Sequence, residues 1–269
     1  MHTDWDTAFN NMSHVAGSHA LPAHWAAEAE AYRDSGVQVE TDIPYGDAPR
    51  ERLDIVWPEG APKGLAVFVH GGYWMRLSKS HWTQFAQGAR AAGWAMALPS
   101  YTLAPDARIS EMTRQISAAI EVAATRVAGP IRLSGHSAGG HLVTRMLCED
   151  TPLAPETRAR IENVVSISGL HDLRPLLRTA MNDTLHLNEA EAASESAILH
   201  RPVPNARITA WTGGGERPEF IRQAQLLATV WQGLDAETDL VIDSVHHHFS
   251  VIEALKTHDS PLSQRLLAF

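Results

Sequence analysis

The segment Gly129-Pro-Ile-Arg-Leu-Ser-Gly-His-Ser137-Ala-Gly-Gly-His-Leu-Val-Thr-Arg-Met-Leu147 decides the fold. Within it Ile131-Arg-Leu133 reads as a short strand, and from His141 to Leu147 the apolar residues recur at helical spacing. Between the two, Gly135-His-Ser-Ala-Gly139 spells G-x-S-x-G. The pattern alone is common, and a glycine-rich turn with an inert serine would spell it equally well. Its setting separates the readings. A sharp strand-to-helix turn needs small residues on both sides so that the two backbones approach closely, and it projects the central hydroxyl outward. Ser137 is therefore a candidate nucleophile.

Three further segments supply what a nucleophilic serine requires. His70-Gly-Gly-Tyr-Trp74 directly follows Leu65-Ala-Val-Phe-Val69, an unbroken apolar run of the kind a buried parallel strand shows. A glycine-rich loop at that point frees backbone N–H groups to meet a developing oxyanion, so Gly71, Gly72 and Tyr73 are candidate donors together with the N–H of Ala138. The plainer alternative is a tight turn carrying an aromatic plug. After the strand-like Ile208-Thr-Ala-Trp211 comes Thr-Gly-Gly-Gly215-Glu216-Arg-Pro-Glu-Phe220, where Pro218 suits a helix start. Glu216 lies in the loop, whereas Glu219 falls in the first helical turn, where the macrodipole alone favours an acid. Glu216 is thus the expected orienting acid, with Asp239 and Asp243 as alternatives on the following strand. Near the end, Leu240-Val-Ile-Asp-Ser-Val245 reads as the last strand and leads into His246-His247-His248-Phe249-Ser250, one of whose histidines is the expected base. Adjacent histidines point in different directions, and zinc sites draw ligands from spaced positions, so no metal is expected here.

Taken together, these residues resemble the kynurenine formamidase (arylformamidase) family of α/β-hydrolases and its near relatives among small carboxylesterases. His70-Gly-Gly-Tyr-Trp74 is similar to the family's H-G-G-x-W signature, Gly135-His-Ser-Ala-Gly139 to its elbow, and Glu216-Arg-Pro-Glu-Phe220 to its acid-x-Pro-Glu-Phe stretch. Ser100-Tyr-Thr-Leu-Ala-Pro105 resembles the Y-x-L-A-P stretch shared with hormone-sensitive-lipase-like esterases, and Ser168-Gly-Leu-His-Asp-Leu173 the family's S-G-x-x-D-L segment. In the family the catalytic histidine directly precedes a phenylalanine, so the resemblance selects His248 over its two neighbours. Many relatives carry aspartate where this chain has Glu216. The resemblance spans about residues 40 to 256. It implies an α/β-hydrolase fold with a mostly parallel eight-stranded sheet flanked by helices, and hydrolysis without a metal or organic cofactor. Ser137, Glu216 and His248 would form the triad, and an aryl formamide would be cleaved through a formyl-enzyme. The aromatic leaving group would lie against a cap and Tyr73 or Trp74, unless those two rings simply pack the core. A short-chain carboxylesterase needs the same residues, and a catalytically silent binding protein on this fold is the rival from another class.

At 269 residues the chain suits one sizeable domain, 1–269, with no linker-like division. An alanine-rich helical stretch from Ala23 to Tyr32 lies in an N-terminal extension of about residues 1–36. Val37-Gln-Val-Glu-Thr and Arg52-Leu-Asp-Ile-Val56 alternate as an antiparallel pair would. Strands near Ala66, Ala95, Ile131, Val164, Ile208 and Val241 then alternate with helices beginning near Lys79, Ser110, Ala138, Pro218 and Ser250, the rhythm of a parallel sheet. The long strandless stretch from about 170 to 204 is expected to form a small cap. The net charge of -9 argues against nucleic acid or anionic membrane as partner and leaves a small-molecule substrate. The opening Met1-His-Thr-Asp-Trp5 carries no basic-then-apolar pattern, so a cytoplasmic enzyme is expected. The single cysteine, Cys148, sits in the apolar pattern of the helix after the elbow and is expected to be packed. Helical surfaces of this kind permit a homodimer, which the sequence does not fix.

Overall fold

The computed structural model describes residues 3–267; Met1, His2, Ala268 and Phe269, and with them the outer limits of the expected 1–269 domain, lie outside the described residues. Eight strands form one sheet: β1 (Val39–Pro44), β2 (Arg52–Val56), β3 (Leu65–Val69), β4 (Ala95–Pro99), β5 (Ile131–His136), β6 (Ile161–Ile167), β7 (Arg207–Gly213) and β8 (Glu237–Asp243). Their spatial order is β1-β2-β4-β3-β5-β6-β7-β8. As the alternating pattern predicts, β1 pairs antiparallel with β2; β2 also pairs antiparallel with β4, and every other pairing is parallel.

The apolar runs are apolar because both faces of the sheet are covered. In β3, Leu65, Val67 and Val69 join one core cluster while Ala66 and Phe68 join the other, and β4 divides its residues in the same way. The first cluster is closed by the helices Ile109–Arg126, Ala138–Arg145 and Pro218–Gln232; the second by Leu21–Asp34, the segment from Lys79 to Ala91, and the C-terminal turns. Burying each large side chain such as Phe68 or Trp231 contributes about 1.5–3 kcal/mol.

Two of the expected helices are not α-helical where they begin. Lys79–His81 and Thr83–Ala86 are 3-10 turns, with an α-helix only over Gln87–Ala91, and Val251–Lys256 is 3-10 as well. Trp82 at φ -128° and Thr257 at φ -122° leave the helical range and stop each run. Tertiary packing fixes them instead: Trp82, Phe85, Val251, Ile252 and Leu255 are all buried in the second cluster.

Strand order and register place the site. The chain passes from β4 to β5 across β3, which creates a switch point, and crevices form at the carboxyl ends of strands flanking such a point. Val69 pairs with Gly135, His136 with Ile167, and Gly213 with Asp243, so β3, β5, β6, β7 and β8 end at one edge. That edge delivers the His70 loop, the Ser137 turn, Ser168, the Glu216 loop and the triple histidine to one place.

Candidate active site

Ser137 sits at φ 56° and ψ -116°, a backbone region that side-chain-bearing residues rarely adopt. The turn is so tight that a Cβ on Gly139 would lie 1.9 Å from the Val69 carbonyl oxygen. The Ser137 N–H is secured by the Ile167 carbonyl at 2.8 Å. Ala138 opens the Ala138–Arg145 helix, so its N–H belongs to the first turn, where no intrahelical acceptor exists.

Glu216 and His248 meet beneath this turn. His248 Nδ1 lies 2.6 Å from Glu216 Oε2, and the two residues are 2% and 5% exposed. The other carboxylate oxygen accepts the Ser168 hydroxyl at 2.5 Å, the Thr212 hydroxyl at 3.0 Å and the Gly213 N–H at 2.7 Å. Burial would raise the Glu216 carboxyl, but the adjoining His248 and the hydrogen bonds from His248, Ser168 and Gly213 together hold it below the usual carboxylate range. An ionised Glu216 fixes the proton of His248 on Nδ1 and leaves Nε2 as a base, and His248 shares one cavity with Ser137. His136 braces the ring, its Nε2 donating to the His248 carbonyl at 2.8 Å, and Phe220 and Phe249 lie against it with centroids 4.6 Å and 5.1 Å away.

The other candidates are engaged elsewhere. His246 Nδ1 pairs with the Ser250 hydroxyl at 3.2 Å, and His247 Nδ1 accepts the N–H groups of Phe249 and Ser250. Glu219 binds Arg222 and Gln223, Asp239 binds Arg265, and Asp243 caps the N–H of Val245. Burial pushes the Cys148 thiol up to about 12, which removes it as a nucleophile near neutral pH.

Gly71 and Gly72 line the cavity beside Ser137. Gly72 takes φ 116°, and Tyr73 and Trp74 follow at 58° and 59°, three consecutive left-handed residues that turn the loop sharply. The two aromatic side chains diverge. Tyr73 faces a neighbouring cavity, and its hydroxyl accepts the Asn11 N–H at 3.3 Å. Trp74, expected among the substrate-contacting residues, is instead 1% exposed and edge-on to His141 in the core, because the left-handed turn swings it inward.

The space in front of Ser137 is in two parts. The inner cavity measures about 60 Å³ and is walled by Trp25, Trp82 and Phe249 as well as the polar site residues. The outer cavity measures about 440 Å³ and lies between Tyr73 and Phe9, with Ala180 and Met181 from the 170–204 stretch at its rim. Sequence reasoning missed the N-terminal contribution to both. Met12 lines each cavity, and Phe9 packs edge-on against Phe220 with centroids 6.1 Å apart. Polar ties hold this segment over the site: His14 Nε2 to the Gly215 carbonyl at 3.2 Å, Arg217 to the Asn10 carbonyl at 3.0 Å, and the Ala180 N–H to Asp6 at 2.7 Å. No periodicity or motif marks residues 5–14 as part of a site.

Residues 66–217, more than half of the chain, match a family described as having the alpha/beta hydrolase fold. The chain belongs to that α/β-hydrolase family. The hydrolase is 29% identical to a kynurenine formamidase of Danio rerio over 244 residues, 87% of this chain and 82% of that protein. It is 46% identical to a crystal structure from Silicibacter sp. tm1040, provisionally named a thioesterase, with a TM-score of 0.94 over 99% of this chain and 100% of that one. Esterase B of Lactobacillus rhamnosis, at 20% identity and a TM-score of 0.67 over 94% of this chain and 93% of its own, shares the fold. The hydrolase is thus an enzyme similar to formamidases and esterases, and its substrate is a small molecule. Among the described residues, none of its helices is long and apolar enough to cross a membrane.

Proposed function

We propose that the hydrolase cleaves a small aryl formamide, of which N-formylkynurenine is the type, through an acyl-enzyme on Ser137. The observation that carries this reading is the buried Glu216–His248 pair beside Ser137, in front of an inner cavity of only about 60 Å³. Such a space admits a few water-sized groups, which suits a formyl or acetyl unit better than a long acyl chain. The outer cavity of about 440 Å³ falls in the range of small-molecule sites and suits an aromatic leaving group.

In this reading His248 Nε2 takes the Ser137 hydroxyl proton as Oγ attacks the formyl carbon. The carbonyl oxygen becomes the oxyanion and meets the backbone N–H groups of Gly72, Tyr73 and Ala138. The imidazolium returns the proton to the aryl nitrogen, the C–N bond breaks, and the aryl amine leaves. Water, deprotonated by His248, then attacks the formyl ester and releases formate, restoring the Ser137 hydroxyl. Glu216 orients the imidazole and stabilises its cation in both halves. The formamidase relatives support the formamide over other acyl substrates. The name of the 46% identical structure supports a second reading, a short-acyl thioester or ester hydrolase with the same residues.

Comparing kcat/KM for N-formylkynurenine, 4-nitrophenyl acetate and 4-nitrophenyl hexanoate tests the proposal. The expected order places the formamide first, with the hexanoate at least about tenfold below the acetate because the inner cavity suits its chain less well. An ester preferred over the formamide would replace the first reading by the second.

A further inference from the structure

Arg76 stands where the inner and outer cavities meet, since it and Met12 are the residues common to both walls. Its backbone is fixed relative to the oxyanion loop: the Arg76 N–H donates to the Gly72 carbonyl at 2.9 Å, and the Met75 N–H to the same oxygen at 3.0 Å. Its guanidinium, in contrast, is exposed and forms no ion pair with any carboxylate among the described residues. The other arginines around the site are engaged. Arg50 donates to the Tyr101 and Leu77 carbonyls, Arg217 to the Asn10 carbonyl, Arg174 pairs with Asp172, and Arg222 with Glu219.

A chain of net charge -9 repels an anionic substrate at long range, so a cation left unpaired at the mouth of the site has a local task. The outer cavity also holds one acid, Asp6, whose Oδ1 accepts the Ala180 N–H and which does not line the inner cavity. The two charges therefore give the leaving-group cavity a polarity, positive where it joins the inner cavity and negative within the outer one. We infer that Arg76 is a specificity residue that receives a carboxylate carried by the leaving group, through a charge-assisted hydrogen bond from its guanidinium. This rests on the acyl-transfer reading above and narrows its substrate class to aryl compounds with an anionic tail. Arginine suits the task better than lysine because its planar fork engages both carboxylate oxygens.

The test uses the full-length enzyme with N-formylkynurenine and its decarboxylated counterpart, which lacks only the carboxylate. Wild type, Arg76→Lys and Arg76→Ala are compared by kcat and KM. The ratio of kcat/KM for the acid to that for the decarboxylated compound is expected to fall about tenfold in Arg76→Ala, mainly through KM, with part of it regained in Arg76→Lys. An equal fall for both compounds, or an unchanged ratio, overturns the inference. If neither formamide shows Ser137-dependent turnover, the formamidase reading fails by itself. The pair 3-(4-acetoxyphenyl)propanoate and 4-ethylphenyl acetate then puts the same question of Arg76, with the same ratio deciding it.

Discussion

Replacing Ser137 by alanine is expected to lower kcat/KM for the preferred substrate by roughly 10⁴-fold or more while leaving the protein folded. In the proposed mechanism the loss is large because His248 and Glu216 act only through the serine. With no nucleophile, water must attack directly, and what remains is binding plus the oxyanion donors. The fold is expected to survive because the costs of the turn lie in its backbone, at φ 56° and ψ -116°, and alanine meets the same backbone requirement as serine. The small volume of the side chain and its place on a cavity wall add little to packing. Formate release and far-ultraviolet circular dichroism on the same preparation check both halves. A folded Ser137→Ala enzyme keeping more than about a hundredth of wild-type activity would remove Ser137 from the reaction.

The second large effect is on stability in acid. His70, His136, His141 and His171 are all buried, and burial lowers each from the ordinary 6.5 to about 3. Their bonding explains why. One nitrogen is used in each ring: His70 Nδ1 lies 2.7 Å from the Gly71 carbonyl, His136 Nε2 2.8 Å from that of His248, His141 Nε2 2.8 Å from that of Glu195, and His171 Nε2 3.4 Å from the Ser166 hydroxyl. The second nitrogen of each is buried without a partner, so protonation would create an unpaired N–H on a desolvated cation. The unfolded chain takes up these protons below about pH 6.5 and the folded one does not until about pH 3. Stability therefore falls as pH drops through that window. Each histidine costs about 1.4 kcal/mol per pH unit in this window, so four together cost about 5 kcal/mol per unit, against a total stability of roughly 5–15 kcal/mol. At that slope a stability of roughly 5–15 kcal/mol is used up about one to three units below pH 6.5, so acid unfolding is expected between about pH 5.5 and 3.5. Tm measured from pH 7.5 to 5 checks this, and a Tm unchanged down to pH 5 would show that these histidines can be protonated in the folded protein. His70→Phe, which keeps a ring stacked on Tyr101, is expected to flatten the slope by about a quarter.

What could be read from the sequence divides along a physical line. The Ser137 turn, the β3 run and the loop after β7 are local: strand, turn and helix are neighbours in the chain, and their glycines and apolar periods record close backbone approach and burial. The contacts among them follow from the regular edge of a parallel sheet. The choice of His248 was carried by Phe249, not by the three histidines themselves, and in the structure it is register with the Glu216 loop that separates them. Which of Tyr73 and Trp74 faces the cavity and which packs the core stays open in the sequence, because a left-handed backbone run cannot be read from Tyr-Trp. The N-terminal wall was illegible for a different reason. Met12, Phe9 and Asp6 act through contacts with residues more than 60 positions away, and although Asp4 and Asn10 cap the short helices they belong to, those caps carry no information on where the helices dock. Tertiary packing also decides the 3-10 turns from Lys79 and Val251, which local propensity alone would extend into helices.

The most direct measurement is the intact mass and peptide map of the enzyme after reaction with a fluorophosphonate, which forms a stable adduct only with a hydroxyl activated by a neighbouring base. One equivalent on the peptide that carries Ser137, lost in Ser137→Ala and slowed by several orders of magnitude in His248→Ala, is the predicted result. An enzyme that hydrolyses its substrate yet remains unlabelled, or is labelled at another serine, would contradict the assignment of Ser137, His248 and Glu216 as one catalytic unit.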